Sequence, residues 1–570
     1  MPPLPANDPP SARPLSRQEM LYLEANALHR LGRLKQAQSL YHQVLATQPS
    51  HFESLHQAGL VAHELGEPAS AVKLIGEALA VNGDVGEARA NLGMALLDLK
   101  RPDEALAEFD RASELDPGLA ATHAGRGDAL RALQRLPEAQ ASYERALALN
   151  PKHLAALISH GVVLRDLGQP ELGLHALDAA IAVAPESRVA HFYRGVALRR
   201  LERFEEAIVS YDRAIAIDPR LVDAHVNRAN ALQELLRLDE AIAGYERAVA
   251  LEPDNAEAHC NMACALLMTG DFERGWKTYE WRWKSTLIQE PPPSFAQPAW
   301  RGVESLQGKT ILLYSEQGLG DAIQFCRYAS LVADLGARVM LRVPDHLIPL
   351  LQSVKGLHVL AAKGAQLPPF DYECPLLSLP LVFKTRADNV PAQVPYLRPR
   401  APLVQQWAQF VTRATFNVGI CWHASQAGVG RSIPLSSFAD IARIEGLQLF
   451  SLQKGDCTEQ LAQLPQGMQV RAFGDDFDSQ GAFLDSAALI WNLDLVITAD
   501  TAMAHLAGAL GKPVWVLVKQ LPDWRWGLTG NRTPWYPTMW LFRQRSRGDW
   551  RPCFEEMAAE LRAILALRFQ

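Results

Sequence analysis

The sequence predicts two architectures in one chain: an α-solenoid of helix–turn–helix repeats in the first half and two α/β lobes in the second. Two observations carry this. Pro49, Pro117, Pro151, Pro185, Pro219 and Pro253 fall on one 34-residue register, with Gly83 in the gap. A fixed period of this length marks a stacked array of helical pairs. After Lys309 the period is gone, and short apolar runs alternate with amphipathic stretches, the pattern of a parallel sheet covered by helices.

The other repeat positions share the register. Counting from Arg188 as position 1, Gly195 is at 8, Ala207 at 20, Tyr211 at 24, Ala214 at 27 and Pro219 at 32. Gly161 and Ala180 recur one period earlier, and Gly127, Ala139, Tyr143 and Ala146 two periods earlier. Small residues at 8, 20 and 27 let two helices approach, and the aromatic at 24 fills the space between them. Proline at 32 stops the second helix, because it has no N–H and clashes with the preceding turn. Repeats are expected to start at Gln18, Phe52, Gly86, Ala120, Leu154, Arg188 and Val222. A degenerate one starts at Ala256, with Gly275 and Tyr279 in place but Arg282 at position 27 and no terminal proline; it reads as a cap. This pattern resembles the tetratricopeptide repeat.

The expected layout is a disordered Pro-rich tail (1–17), the solenoid (18–289), a linker (290–308), a short first lobe (309–400) and a second lobe (401–570). Net charge is −7 with 21% charged residues and no basic stripe, which argues against nucleic acid. Arg543, Arg545, Arg547 and Arg551 read as a solvated surface. The N-terminus lacks the apolar core of a signal peptide. The apolar stretch 489–518 is broken by Asp494, Asp500 and Lys512, so it reads as core and not as a membrane span. Seven cysteines are scattered without metal-type pairing; Cys260 and Cys264 lack a second pair to complete a zinc site. The expectation is a reduced, cytoplasmic protein with no integral membrane segment.

In the second half, strands are expected at Thr310–Ser315, Ala337–Val343 and Leu357–Ala361, then at Phe416–Trp422, Leu447–Gln453, Leu493–Asp500 and Pro513–Val518. In such sheets ligands bind outside the carboxyl ends of the strands, so a cleft between the lobes is expected.

Two segments there carry chemistry. In "SEQGLGDAIQF" (Ser315–Phe325) a strand ends, a turn follows, and a helix opens at Asp321. Gly318 and Gly320 allow close backbone approach. The third glycine of a dinucleotide fingerprint is missing, as is the Gly-Lys-Ser/Thr of a P-loop. Asp321 reads as a helix cap, as a catalytic base facing the cleft, or as both. In "ITADTAMAHLAGALGKPVW" (Ile497–Trp515) a buried strand delivers Asp500 and Thr501 to its carboxyl end, and His505 lies one turn into a small-residue helix. The Thr501 hydroxyl and the first amides, from Ala502 on, suit a diphosphate; His505 reads alternatively as a core histidine.

These segments together resemble the heptosyltransferase-like glycosyltransferases of the GT-B fold. The resemblance rests on Gly320-Asp321, on Asp500-Thr501-Ala502-Met503-Ala504-His505-Leu506-Ala507, and on Gly511-Lys512-Pro513, and spans about Lys309 to Gln570. It implies an α/β GT-B pair of lobes, Asp321 as general base, Thr501 and its neighbouring amides as the diphosphate site, and Asp500 and His505 as donor contacts. Ala502 departs from the family's glycine. No metal or other cofactor is implied; "DDFD" (Asp475–Asp478) is set aside, because a metal-binding carboxylate pair belongs to the other major glycosyltransferase fold.

Five further residues fit a nucleotide-sugar cleft. Arg431 and Ser432 follow one strand and Lys454 the next, with both cations aimed at the diphosphate or else on the surface. Trp524 and Trp526 either stack on a base or sugar, or pack in the core. In the solenoid, Asn91, Asn227 and Asn261 share repeat position 6. In the repeat arm of the O-GlcNAc transferases an asparagine there holds peptide backbone; the alternative is hydrogen bonding within the solenoid. The domain order also resembles O-GlcNAc transferases and bacterial protein glycosyltransferases, such as those acting on flagellin. The expected function is thus transfer of a sugar from a nucleotide-sugar to a protein or peptide acceptor presented by the repeats. An adaptor with an inactive or sensing transferase half and an envelope glycan transferase are the alternatives.

Overall fold

The computed structural model describes residues 15–286, 293–424 and 430–568. Most of the expected Pro-rich tail (1–14) and part of the expected linker (287–292) lie outside the described residues. The chain divides into two compact units, Met1–Ala231 and Leu232–Gln570.

From Arg17 to Tyr279 the described residues form sixteen helices. The first helices of successive pairs begin at Phe52, Gly86, Ala120, Leu154, Arg188, Val222 and Ala256, the expected repeat starts. Their packing explains the register. A Cβ added at Gly127 would meet Tyr143 Cε1 at 2.5 Å, and one at Gly195 would meet Tyr211 Cε1 at 2.5 Å. Position 8 therefore has no side chain because the position-24 ring occupies that space. Tyr143 and Tyr211 are fully buried, and the Tyr143 hydroxyl donates to Asp128 (2.7 Å). Cross-repeat pairs recur at the same register. Arg126 meets Asp110 (2.6 Å), Arg194 meets Asp178 (2.6 Å) and Arg228 meets Asp212 (2.5 Å). These are partly exposed and contribute little individually, but each ties position 7 of one repeat to position 25 of the repeat before it.

The second unit carries two parallel sheets. The first has strand order β3-β2-β1-β4, from β1 (Thr310–Tyr314), β2 (Arg338–Val343), β3 (Leu357–Ala362) and β4 (Tyr372–Pro375); β4 is an unanticipated strand. The second has order β10-β9-β8-β5-β6-β7, from β5 (Phe416–Cys421), β6 (Leu447–Ser451), β7 (Val470–Arg471), β8 (Leu495–Ala499), β9 (Val514–Val518) and β10 (Met539–Arg543); β7 and β10, like β4, are unanticipated. Alternation along the strands divides the core. Ile311 and Leu313 face one apolar cluster, Leu312 and Tyr314 another. Likewise Val418 and Ile420 join Leu495 and Ile497 on one face of the second sheet, against the helix Arg551–Arg568.

The boundary between units precedes the expected linker because the capping repeat belongs to the α/β core. Trp276 is buried against Trp524 and Trp535, with ring centroids 5.1 and 6.5 Å away, and its Nε1 donates to the Thr385 carbonyl (2.9 Å). Part of the expected linker also packs: Trp300 is buried, and its N–H donates to the Glu373 carbonyl of β4 (2.8 Å). The arginines expected on a solvated surface are partly engaged. Arg543 donates to the Gly527 (2.9 Å) and Gly530 (2.6 Å) carbonyls, and Arg547 pairs with Glu234. No helix among the described residues is long and apolar enough to cross a membrane.

Candidate functional site

Sheet topology locates the site. In the first sheet the strand order turns at β1, flanked by β2 and β4; in the second it turns at β5, flanked by β6 and β8. Crevices open at such switch points, outside the carboxyl ends of the strands. Residues 315–321 follow β1, His423, Ala424 and Arg431 follow β5, and Asp500 follows β8. All border one cleft of about 1480 Å³.

Of the residues expected at the site, Gly318, Gly320, Asp321, Arg431, Lys454, Asp500, Thr501, Ala502 and His505 line this cleft. Ser432 is not among its lining residues; its hydroxyl accepts from the Ala424 N–H (3.4 Å). Trp524 borders the cleft but is 5% exposed, and Trp526 is 1% exposed. The stacking role gives way to packing: Trp524 meets Trp276, Tyr279, Phe325 and Trp535, and Trp526 stacks on His505 at 5.4 Å.

The helix Leu319–Phe325 opens at Gly318, whose N–H donates to Asp321 Oδ2 (3.0 Å). Asp321 Oδ1 accepts from Arg525. Burial pushes the Asp321 carboxyl above its usual range, and Arg525 opposes that. Gly320 lies against the helix Ala502–Ala509 of the other lobe; a Cβ there would meet His505 Cδ2 at 3.0 Å and Ala502 Cα at 3.3 Å.

Across the cleft, Thr501 caps the helix Ala502–Ala509, accepting from the Met503 N–H (3.1 Å), while the Ala504 N–H donates to the Thr501 carbonyl (3.0 Å). The cap thus already uses two of the amides expected for an anion. Asp500 is buried, with Arg431 Nε 3.8 Å from its Oδ2. Burial raises the Asp500 carboxyl, and Asp523 adds to the rise. His505 Nδ1 lies 3.0 Å from the Tyr536 hydroxyl; burial holds its pKa well below the ordinary value, so it is neutral. Lys454 donates to the Phe477 carbonyl. Asp478 of "DDFD" accepts from the Asp485 and Ser486 N–H groups in the first turn of the helix Leu484–Asn492.

Sequence reasoning missed Arg525, Arg282, Glu316 and Tyr279, all of which border the cleft. Arg282 Nη2 pairs with Glu316 Oε1 (2.9 Å), and the two side chains are 1% and 2% exposed. Burial pushes the Glu316 carboxyl up to about 7, against the pull of Arg282. Arg282 had one signal: it stands where the other repeats place alanine or valine. In the solenoid, Asn91 Nδ2 donates to His56 (3.0 Å) and Asn227 Nδ2 to the Asp223 carbonyl (2.9 Å). Asn261 lies on the helix Ala256–Thr269 in the second unit.

Residues 22–75, 56–120 and 158–221 match one tetratricopeptide repeat family, residues 120–153 a second and residues 237–270 a TPR repeat family. These helices are tetratricopeptide repeats. The chain is also similar to Protein FlbA of Caulobacter vibrioides, at 27% identity over 325 residues, 53% of this chain and 54% of FlbA. It therefore spans about half the length of that curated relative. Among solved structures, YrrB, a TPR protein with an unusual peptide-binding site, is 25% identical; the match covers 32% of this chain and 95% of YrrB, with a TM-score of 0.28. The APC/C hetero-tetramer Cut9–Hcn1 is 16% identical over 46% of this chain and 52% of that one, with a TM-score of 0.37.

Proposed function

We propose that the second unit is a GT-B-type glycosyltransferase that acts in the cytoplasm without a metal, moving a sugar from a nucleotide-sugar to a protein acceptor brought by the repeats. The observation that carries this reading is the single cleft at both strand-order reversals, with Asp321 on the first lobe and Asp500, Thr501, Arg431 and Lys454 on the second. Solenoids of this kind offer extended binding surfaces, which supports a protein or peptide as acceptor.

In the proposed reaction the acceptor hydroxyl attacks the anomeric carbon and Asp321 takes its proton. The bond from that carbon to the diphosphate breaks, and the diphosphate leaves with the electron pair toward Arg431, Lys454 and the Thr501 turn. Neutral His505 keeps the second lobe's helix against Gly320. A second reading, a repeat adaptor that senses a nucleotide-sugar, draws on the Asp321–Arg525 pair, which already engages the carboxylate.

The experiment is incubation of the protein and its Asp321→Asn variant with labelled UDP-, GDP-, ADP- and CMP-sugars and cell lysate. Label on protein, lost by about 100- to 10,000-fold in the variant with nucleotide binding retained, supports transfer. Binding without transfer by the unaltered protein favours the sensor, and label on glycan alone favours an envelope transferase.

A further inference from the structure

We propose that Arg525 is a positioning residue for Asp321, reaching from the second lobe to fix its carboxylate in one orientation and in the ionised state. The catalytic meaning of this rests on the glycosyltransferase reading; the interaction itself does not.

Arg525 lies on the turn Trp524–Trp526 and is buried. Its Nε donates to Gln324 Oε1 (2.7 Å), its Nη1 to Asp523 Oδ1 (2.9 Å) and its Nη2 to Asp321 Oδ1. The guanidinium carbon sits 4.2 Å from the centroid of the Trp524 ring. Every nitrogen of the fork is therefore held, and the plane is backed by an aromatic face, so its aim is set before a ligand arrives. A planar fork with fixed geometry is the arrangement a lysine does not reproduce. Asp321 is correspondingly pinned at both oxygens, by Arg525 and by the Gly318 N–H. A carboxylate has about four acceptor sites, so two such bonds leave it able to receive a hydroxyl proton.

The surroundings make the cation necessary. Burial, Asp523 and Glu316 oppose a negative charge on Asp321, while Arg525 and Arg431 favour it. Tyr279 and His505 also face this corner, both uncharged near neutral pH. An adjacent guanidinium lowers a carboxyl pKa by about 1–3 units, so Arg525 favours the ionised form that a base requires.

The test uses the full chain with aspartate carboxyls labelled with carbon-13, followed by NMR against pH. The signal missing in Asp321→Asn belongs to Asp321. In Arg525→Gln its midpoint is expected to rise by about 1–3 units, and in Arg525→Lys, which keeps the charge but not the fork, to rise by less. The acid limb of kcat/KM for sugar transfer should move with it while the donor KM holds. An unmoved Asp321 midpoint in Arg525→Gln overturns the proposal, as does an equal rise in Arg525→Lys. Should Arg525→Gln not fold, Gln324→Leu decides: it removes the partner of Arg525 Nε and leaves both charges in place, so the midpoint must rise, and an unmoved midpoint overturns the proposal. If the midpoints move as expected but no labelled nucleotide-sugar is ever consumed, the pairing stands and the transferase reading fails.

Discussion

Gly320 and His505 meet where the two lobes touch: a Cβ on Gly320 would come within 3.0 Å of His505 Cδ2, with Ala502 Cα 3.3 Å away. The contact joins the helix that carries Asp321 to the helix capped by Thr501. A side chain here crowds His505 and the Ala502 backbone, which must shift by a few tenths of an ångström to admit it, and overpacking costs about 1–3 kcal/mol. Gly320→Ala is expected at the low end of that range and Gly320→Val at the high end. Denaturant unfolding of both variants checks the order.

The capping repeat should be inseparable from the α/β unit. Arg282→Met leaves Glu316 buried beside an apolar side chain; the carboxyl then takes up a proton, and the lost hydrogen bonds cost about 1–3 kcal/mol. Trp276→Ala opens a cavity against Trp524 and Trp535, with a loss of about 3–5 kcal/mol. Unfolding followed by tryptophan fluorescence measures both. Losses below about 1 kcal/mol would mean that the cap merely leans on the lobes.

Glu316 makes a pH prediction with a definite sign. Its folded carboxyl is pushed up to about 7, above the roughly 4.3 of an unfolded glutamate. The folded state therefore holds the proton more tightly. The stability this proton contributes is fully present below about 4.3 and is lost as pH rises through about 7. Glu316→Gln should remove that slope. The difference in unfolding free energy between the two proteins, measured from pH 4 to 8, should change across this window; a constant difference would remove Glu316 as its source.

Nucleotide binding tests the phosphate side of the cleft. Arg431 is loosely paired with Asp500 at 3.8 Å and can turn to a diphosphate at little cost. Thr501 is committed to its helix cap. A hydrogen bond to a charged group contributes about 1.5–3 kcal/mol. Arg431→Ala should therefore weaken UDP, GDP or ADP binding by roughly 10- to 150-fold, and more than Thr501→Val does. Calorimetry with the three nucleotides gives both values.

The repeats were legible because they are local. Helix starts, the glycine–aromatic contact at positions 8 and 24 and the terminal prolines all lie within one 34-residue period, so the register of Gly127 and Tyr143 appears in the sequence as it does in the fold. Strand ends in the second half were legible for the same reason, and they brought Asp321, Asp500 and Thr501 to one cleft. The loop "LPDWRWGL" shows where local reading stops. Two tryptophans there suggest ligand stacking, yet it is the arginine between them that meets Asp321, more than 200 positions away in sequence (|i−j| = 204).

By itself, then, the sequence determined the repeat array, seven of the ten parallel strands among the described residues and the residues at their carboxyl ends, because these follow from periodicity and from chain neighbours. Tertiary structure alone decided that the capping repeat is part of the α/β core, that Arg282 neutralises Glu316, and that Arg525 holds Asp321. Those pairings depend on which distant segments share a buried, low-dielectric space. There an unpaired charge is costly and must find its partner wherever the fold provides one.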